Sequence, residues 1–325
     1  MGTVGKAGAV LLVNLGTPAD STPAAIRRYL AEFLSDRRVV ALSRALWFPI
    51  LYGYILPFRP GRLAEKYRLI WTNEGSPLLK YSRRLTERVR EQLTGEAQVA
   101  LAMRYGEPGI SAALLELSQA RPERLIVLPL YPQYSTTTTA SVVDAITARL
   151  PVPGWTPRVE FIEHYHDDPR YIAALADSVR AHWLVQGRGD HLLMSFHGIP
   201  EKLVAQGDPY ARECHETARL LARALELDQK GWSVAFQSRL GRAPWIKPYT
   251  DHELPRLANA GVRTLDVICA GFPADCLETL EEVAIRYEAQ FRAAGGIALR
   301  YIPALNDSPA HVSALAGIVG DRLKQ

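Results

Sequence analysis

The sequence predicts a doubly wound α/β protein in two domains, each built on a four-stranded parallel sheet flanked by helices. Three observations predict it. Eight apolar runs of strand length alternate with helical patterns along the 325 residues, an order that favours α/β layering. Most of these runs are continuous rather than alternating, as strands covered on both faces require. They divide four and four, and a chain of this length suits two domains of about 150 residues.

The first strand is read at 8–16, GAVLLVNLG, where the apolar run stops at Asn14 and shows no signal-peptide cleavage pattern. A helix follows over 22–34, with Thr22 as N-cap and Pro23 at the first helical position. Further strands are expected at 97–105, 124–130 and 158–164, completing the first half. The second half repeats the count, with strands at 190–197, 232–238, 264–270 and 297–303. Helical periodicity is clear over 169–186, 209–226 and 275–293. An echo points to duplication. LLVNLGTP (11–18) and LLMSFHGIP (192–200) both run from a strand into a glycine-containing turn, and Arg104 and Arg239 each close the second strand of their half. Pro and Gly cluster in PVPGWTP (151–157), which places the boundary there and the domains at 1–155 and 156–325.

Composition excludes several classes. The charge is 38 basic minus 34 acidic residues, or +4, mildly basic and unevenly spread, which gives no nucleic-acid footprint. Charged residues are 22% and hydrophobic residues 48%, which excludes disorder. Cys214, Cys269 and Cys276 form no CxxC and cannot hold a four-cysteine cluster, so a reducing cytoplasm is expected. The most apolar uncharged stretch, 45–58, is interrupted by Pro49, Gly53 and Pro57. It is shorter than the about 20 residues a bilayer span needs. Two readings stay open for it: a buried loop or helix, or an exposed lip that touches a membrane surface or a greasy ligand.

Ligands of open α/β sheets bind beyond the carboxyl ends of the strands, so residues that follow strands are the ones to weigh. His197 ends the run LLMSF and precedes Gly198-Ile199-Pro200. An imidazole exposed there can accept a proton near neutral pH or ligate a first-row metal; a hydrogen-bonded structural histidine is the plain reading. Asp275, Glu278 and Glu282, at i, i+3 and i+7, would share one face of a helix, with Glu281 beside them. That face is either a solvated, well-capped surface or a ladder of carboxylates for a cation. Cys276 is a soft ligand or a buried thiol. Tyr131, Tyr134 and the run of hydroxyls at 135–139 follow the third strand and suit capping. Arg59, Arg62, Tyr67 and Ser76 mix cations, an aromatic ring and a hydroxyl, as a flat carboxylate-bearing ligand requires; a solvated basic face is the alternative. No GxGxxG, P-loop, GxSxG or HExxH motif occurs.

Ten blocks in order carry a more specific signal. They include LLVNLGTP (11–18), FLSDRRVV (33–40), EGSPL (74–78), RYGEP (104–108), LPLYPQYS (128–135), SFHGIP (195–200), FQSRLGRAPWIKPYTD (236–251), GFPADCLETLEE (271–282) and YIPALN (301–306). Through them nearly the whole chain resembles the ferrochelatase family in its short bacterial form. The resemblance implies two Rossmann-like domains of the class II chelatase type. It implies insertion of ferrous iron into protoporphyrin IX, with release of two protons, as the last step of haem synthesis.

Residue by residue, the resemblance implies that His197 and Glu278 face each other across the porphyrin centre as proton acceptor and metal contacts. Asp275 and Glu282 match the helix that lines the metal path. Leu15, Arg104, Tyr105 and Tyr131 match the porphyrin pocket, and Arg59, Arg62, Tyr67 and Ser76 the propionate edge. His197 and Glu278 are taken as contributed by opposite halves of the duplicated scaffold. Trp47, Phe48, Ile50 and Leu51 are read as one apolar wall. Cys276 stands where animal relatives carry histidine. The C-terminal extension that holds an iron–sulfur cluster in animal members is missing, so no cluster and no other prosthetic group are expected; iron enters as substrate. The expected partners are protoporphyrin IX and Fe²⁺, without nucleic acid, in the cytoplasm, with peripheral membrane contact through 45–58. The competing readings are a porphyrin or haem carrier without catalysis, a chelatase for another metal or for coproporphyrin III, and, further off, a hydrolase using His197 and Cys276.

Overall fold

The computed structural model describes residues 8–239, 241 and 243–325. Residues 1–7, and Leu240 and Arg242 within the block 236–251, lie outside the described residues. The chain divides into two compact units, Met1–Tyr131 with Ser135–His164 and Asp307–Gln325, and Pro132–Tyr134 with Tyr165–Asn306.

The first unit contains β1 (Gly8–Gly16), α1 (Pro23–Leu34), α2 (Arg44–Ile50), α3 (Leu56–Ile70), α4 (Pro77–Gln92), β2 (Ala97–Tyr105), α5 (Ile110–Ser118), β3 (Arg124–Pro129), α6 (Thr139–Thr147) and β4 (Arg158–Phe161). The second contains α7 (Pro169–Gln186), β5 (His191–His197), α8 (Glu201–Ala205), α9 (Tyr210–Ala224), β6 (Trp232–Gln237), α10 (Thr250–Asn259), β7 (Thr264–Ile268), a π-helix (Glu278–Tyr287), α11 (Glu288–Ala293) and β8 (Ala298–Ile302). Helix α12 (Pro309–Leu323) groups with the first unit.

Each unit holds one parallel sheet, ordered β2-β1-β3-β4 and β6-β5-β7-β8. Counted from its own first strand, each order is 2-1-3-4, so the echo between 11–18 and 192–200 has a counterpart in topology. The continuous apolar runs have the expected cause. In β1 every residue from Ala9 to Asn14 is buried, because helices cover both faces of the sheet. Alternate residues Leu11 and Val13 join a core with Leu114, Leu117 and Val142. Burying a side chain of this size is worth about 1.5–3 kcal/mol.

Helix starts follow local chemistry. The Thr22 hydroxyl accepts from the Ala25 N–H at 3.3 Å ahead of α1, and the Asp168 carboxylate accepts from the Arg170 N–H at 2.9 Å ahead of α7. The stretch 45–58 is helical throughout, despite its prolines. Pro49 has no N–H for the carbonyl four residues back. The helix continues past it through a π turn, Leu51–Ile55, before α3 begins with Pro57 in its first turn.

One face of this stretch is buried and the other is exposed. Trp47 and Leu51 point inward, and the Trp47 indole N–H donates to the Leu34 carbonyl at 2.6 Å. Phe48 and Ile50 do not share that wall: with Leu46, Tyr52, Tyr54 and Phe58 they are exposed, Tyr54 at 69%.

Candidate active site

In a 2-1-3-4 sheet the chain leaves the first strand for one neighbour and then crosses to the other. The crevice between strands 1 and 3 is the switch point, where ligands bind. In the second unit that crevice lies between β5 and β7. His197 is the last residue of β5, and Glu278 opens the π-helix that follows β7. Both belong to the second unit. The expectation that they come from opposite halves is corrected: they flank the switch point of one sheet.

The imidazole of His197 is partly buried, with the rings of Trp245 and Phe272 each centred 6.4 Å away. Its Nδ1 lies 2.6 Å from the Gly198 carbonyl. A carbonyl can only accept, so Nδ1 carries the proton and donates. That leaves the Nε2 lone pair as the basic position of the neutral ring.

Glu278 is partly exposed. Its charge acts on the buried Cys276 thiol. Burial, reinforced by the charge of Glu278, pushes that thiol well above its ordinary range.

The acidic segment departs from the periodicity expected of it. The backbone over Glu278–Tyr287 is a π-helix, which closes on i+5 rather than i+4, and Asp275 precedes it. The i, i+3, i+7 face therefore does not form as on an α-helix. Both Asp275 oxygens are occupied. One accepts from the Tyr301 hydroxyl at 2.6 Å and the Thr279 hydroxyl at 3.0 Å; the other accepts from the Asn306 amide at 2.7 Å.

Glu282 is 6% exposed and equally engaged. Its Oε1 accepts from the Ser238 N–H at 3.1 Å and the Tyr287 hydroxyl at 2.8 Å, and its Oε2 from the Ser238 hydroxyl at 2.5 Å. Arg286 pairs with it at 3.0 Å. Ser238 holds a left-handed backbone, φ +67°, a costly conformation for a non-glycine residue. The Glu282 carboxylate, gripping both its N–H and its hydroxyl, compensates.

The first unit presents a second group of expected residues. Arg104 and Tyr105 end β2, and both donate to the Asp36 carboxylate, the tyrosine hydroxyl at 2.7 Å. The Ser141 hydroxyl donates to the same oxygen at 2.6 Å. Burial acts to raise the Asp36 pKa, but the Ser141 and Tyr105 hydroxyls, the Arg38 N–H and the Arg104 charge outweigh it, so the net shift is downward.

A carboxyl with a depressed folded-state pKa stabilises the fold above its unfolded value and loses that contribution as pH falls through the folded one. Asp36→Ala is expected to cost about 3–5 kcal/mol, the scale for stripping one partner from a buried ion pair. Asp36→Asn is expected to abolish part of the loss of stability below about pH 4. Thermal unfolding of both variants between pH 3 and 7 measures this; an unchanged acid limb in the asparagine variant contradicts it.

The remaining expected residues are spread over the first unit. Leu15 is half-buried near the end of β1. Tyr131 follows β3; its hydroxyl is buried without a hydrogen-bond partner, and burial drives its pKa up. Arg59 and Arg62 lie on α3, Arg62 exposed and Arg59 half-buried, with desolvation lowering the Arg59 pKa. Tyr67 is buried on the same helix, edge-on to Trp71. Ser76 is 3% exposed and caps α4 by accepting from the Leu79 N–H at 3.4 Å. Sequence reasoning missed Asp36, Gln237 and Ser238 as supports of the site, although all three stand inside the quoted blocks.

Three comparisons bear on this arrangement. The family model described as Ferrochelatase matches residues 7–323. The ferrochelatase of Nitrosococcus oceani is 48% identical over 325 residues, covering 99% of this chain and 88% of that protein. The ferrochelatase of Thioalkalivibrio sulfidiphilus is 51% identical over 314 residues, covering 95% of this chain and 85% of its own length. Among solved structures, the sirohydrochlorin chelatase SirB of Bacillus subtilis subspecies spizizenii, in complex with cobalt, aligns with a TM-score of 0.58 at 11% identity. That alignment covers 98% of this chain and 96% of SirB, and it supports the fold.

Proposed function

The chain belongs to the ferrochelatase family, enzymes that insert ferrous iron into protoporphyrin to make haem, and from that premise we propose which of its groups carry the reaction. The observation that carries the assignment is the tautomer of His197. Its Nδ1–H is spent on the Gly198 carbonyl, and Nε2 is a free base at the switch point of the second sheet.

The chemistry sets three demands. Free protoporphyrin is flat, its centre is closed by two pyrrole N–H groups, and Fe²⁺ arrives hydrated. Contacts over the macrocycle faces supply the bend, with strain of about 1–5 kcal/mol. His197 Nε2 takes one pyrrole proton. The Glu278 carboxylate takes the second and contacts the incoming iron, and both protons pass to water. The four ring nitrogens replace water around the iron, so two protons leave for each dication that enters. The same Nε2 lone pair contacts iron only when unprotonated, so its two roles are successive.

Asp275 and Glu282 flank Glu278 with their oxygens already held by neighbouring donors. They lend the metal path negative charge rather than open ligands. We assign Leu15, Arg104, Tyr105 and Tyr131 to the porphyrin. Arg59, Arg62, Tyr67 and Ser76 are assigned to its propionate edge, where Arg59 exchanges a desolvated state for a carboxylate partner. No prosthetic group takes part. The test is anaerobic incubation with Fe²⁺ and protoporphyrin IX. The free-base absorbance bands are expected to give way to those of the metalloporphyrin in a protein-dependent manner, and a binding spectrum without metallation refutes the reading.

Among the described residues no helix is long and apolar enough to cross a membrane. We propose a cytoplasmic enzyme that rests on the membrane surface through the outward side chains Leu46, Phe48, Ile50, Tyr54 and Phe58, all exposed on the helices of 45–58. Sedimentation with phosphatidylcholine vesicles is expected to carry the protein down. Combining Phe48→Ser, Tyr54→Ser and Phe58→Ser is expected to leave it in the supernatant; equal sedimentation of both contradicts the contact.

A further inference from the structure

The catalytic assignment leaves open what holds His197 and Glu278 in register. They sit on separate segments, one ending β5 and the other opening the π-helix after β7. A metal-insertion site needs its base and its carboxylate placed to a fraction of an ångström.

One side chain reaches both. Gln237 is the last residue of β6 and is paired in register with His197. Its backbone carbonyl accepts from the Gly198 N–H at 2.8 Å, and Gly198 is the residue whose own carbonyl fixes the His197 tautomer. A Cβ at Gly198 would lie 3.0 Å from that Gln237 oxygen, so glycine lets the turn after β5 approach the end of β6. On the other side, Gln237 Nε2 donates to the backbone carbonyl of Glu278 at 2.8 Å.

The orientation of the amide is forced by its partners. The Glu278 carbonyl can only accept, so it faces the NH₂. The Ser195 hydroxyl, at 2.6 Å, and the Cys269 thiol, at 3.5 Å, donate to Oε1. Ser195 belongs to β5, and Cys269 follows β7. Gln237 is 1% exposed, so no water replaces these bonds. Its immediate successor, Ser238, grips Glu282. Two consecutive residues at the end of β6 thus hold the π-helix at two points.

We propose that Gln237 is a positioning residue for metal insertion, tying the strand turn that fixes the His197 imidazole to the backbone of Glu278. The inference rests on the chelatase reading above. Gln237 touches neither substrate. It acts by keeping the β5 turn and the start of the π-helix at one spacing, so its loss costs turnover rather than porphyrin binding.

The test is Gln237→Met, which keeps the length and burial of the side chain and removes both polar groups. Anaerobic metallation with Fe²⁺ and protoporphyrin IX is read as kcat and KM, beside porphyrin binding by fluorescence quenching and thermal unfolding. The expected result is a loss of about 10–100-fold in kcat, the scale of a misplacement near 1 Å. The porphyrin KM and binding constant should stay within about twofold, the signature of an interaction made only in the transition state. A merely structural role gives a different pattern: a lower unfolding temperature with wild-type kcat per folded molecule.

If the methionine variant does not fold, Ser195→Ala, which frees one end of the amide, is measured instead. It is expected to lose several-fold in kcat at unchanged KM. Wild-type kcat in whichever folded variant is measured overturns the proposal. Failure of the wild-type protein itself to metallate protoporphyrin overturns the chelatase reading instead, so the two failures are distinct.

Discussion

Replacing His197 by alanine is expected to abolish iron insertion while porphyrin still binds. The imidazole ends β5 with its Nδ1–H held by the Gly198 carbonyl at 2.6 Å, which leaves Nε2 as the nitrogen that can accept a proton. On the proposed mechanism, removing it deletes the acceptor for a pyrrole proton, and it shortens no element of the sheet. Loss of a general base costs about 10²–10⁴-fold, and the loss should fall on kcat with the porphyrin KM nearly unchanged. The truncation leaves a gap between the rings of Trp245 and Phe272, at a partly buried position, so the fold survives. Steady-state metallation beside equilibrium porphyrin binding checks both halves. A parallel loss of binding would mean that His197 holds the macrocycle rather than deprotonates it.

Glu278→Gln is expected to be nearly as severe, by about 10² or more in kcat, for a different reason. The substitution keeps the shape of the side chain, but it removes the negative charge. On the proposed mechanism, the site without that charge would lack both the acceptor for the second proton and the hard oxygen ligand for Fe²⁺. The backbone carbonyl of Glu278, which accepts from Gln237 at 2.8 Å, is untouched, so the π-helix keeps its place. Turnover near the wild-type value in this variant would assign the carboxylate role to another acidic group of the segment.

Much of the scaffold was legible because burial on both faces leaves a simple mark. β1 and β2 occupy 8–16 and 97–105 as expected, and the remaining strands start or stop within a few residues of their runs. The strand-end rule then led directly to His197. The rest was hidden for identifiable reasons. Pro49, Gly53 and Pro57 made 45–58 look broken, yet a π turn carries the helix through. The acidic residues were spaced for an α-helix, and the backbone there is π-helical, a choice made by packing that no i+3 pattern records.

The supports of the site were hidden by their ordinariness. Asp36 reads as one charge in a polar turn, but it is the common acceptor for Arg104, Tyr105 and Ser141. Gln237 and Ser238 read as the polar end of the strand 232–238, and only the three-dimensional pairing of β6 with β5 shows what they hold. Ser76, chosen for its hydroxyl, also has the local task of capping α4.

The most direct measurement mixes Fe²⁺ anaerobically with protoporphyrin IX already bound to the wild-type protein, to His197→Ala and to Glu278→Gln, and follows the porphyrin absorbance in time. The account predicts that the wild-type complex converts to metalloporphyrin, while both variants keep the free-base spectrum of a bound macrocycle. Metallation at the wild-type rate by either variant, with porphyrin bound, would contradict it.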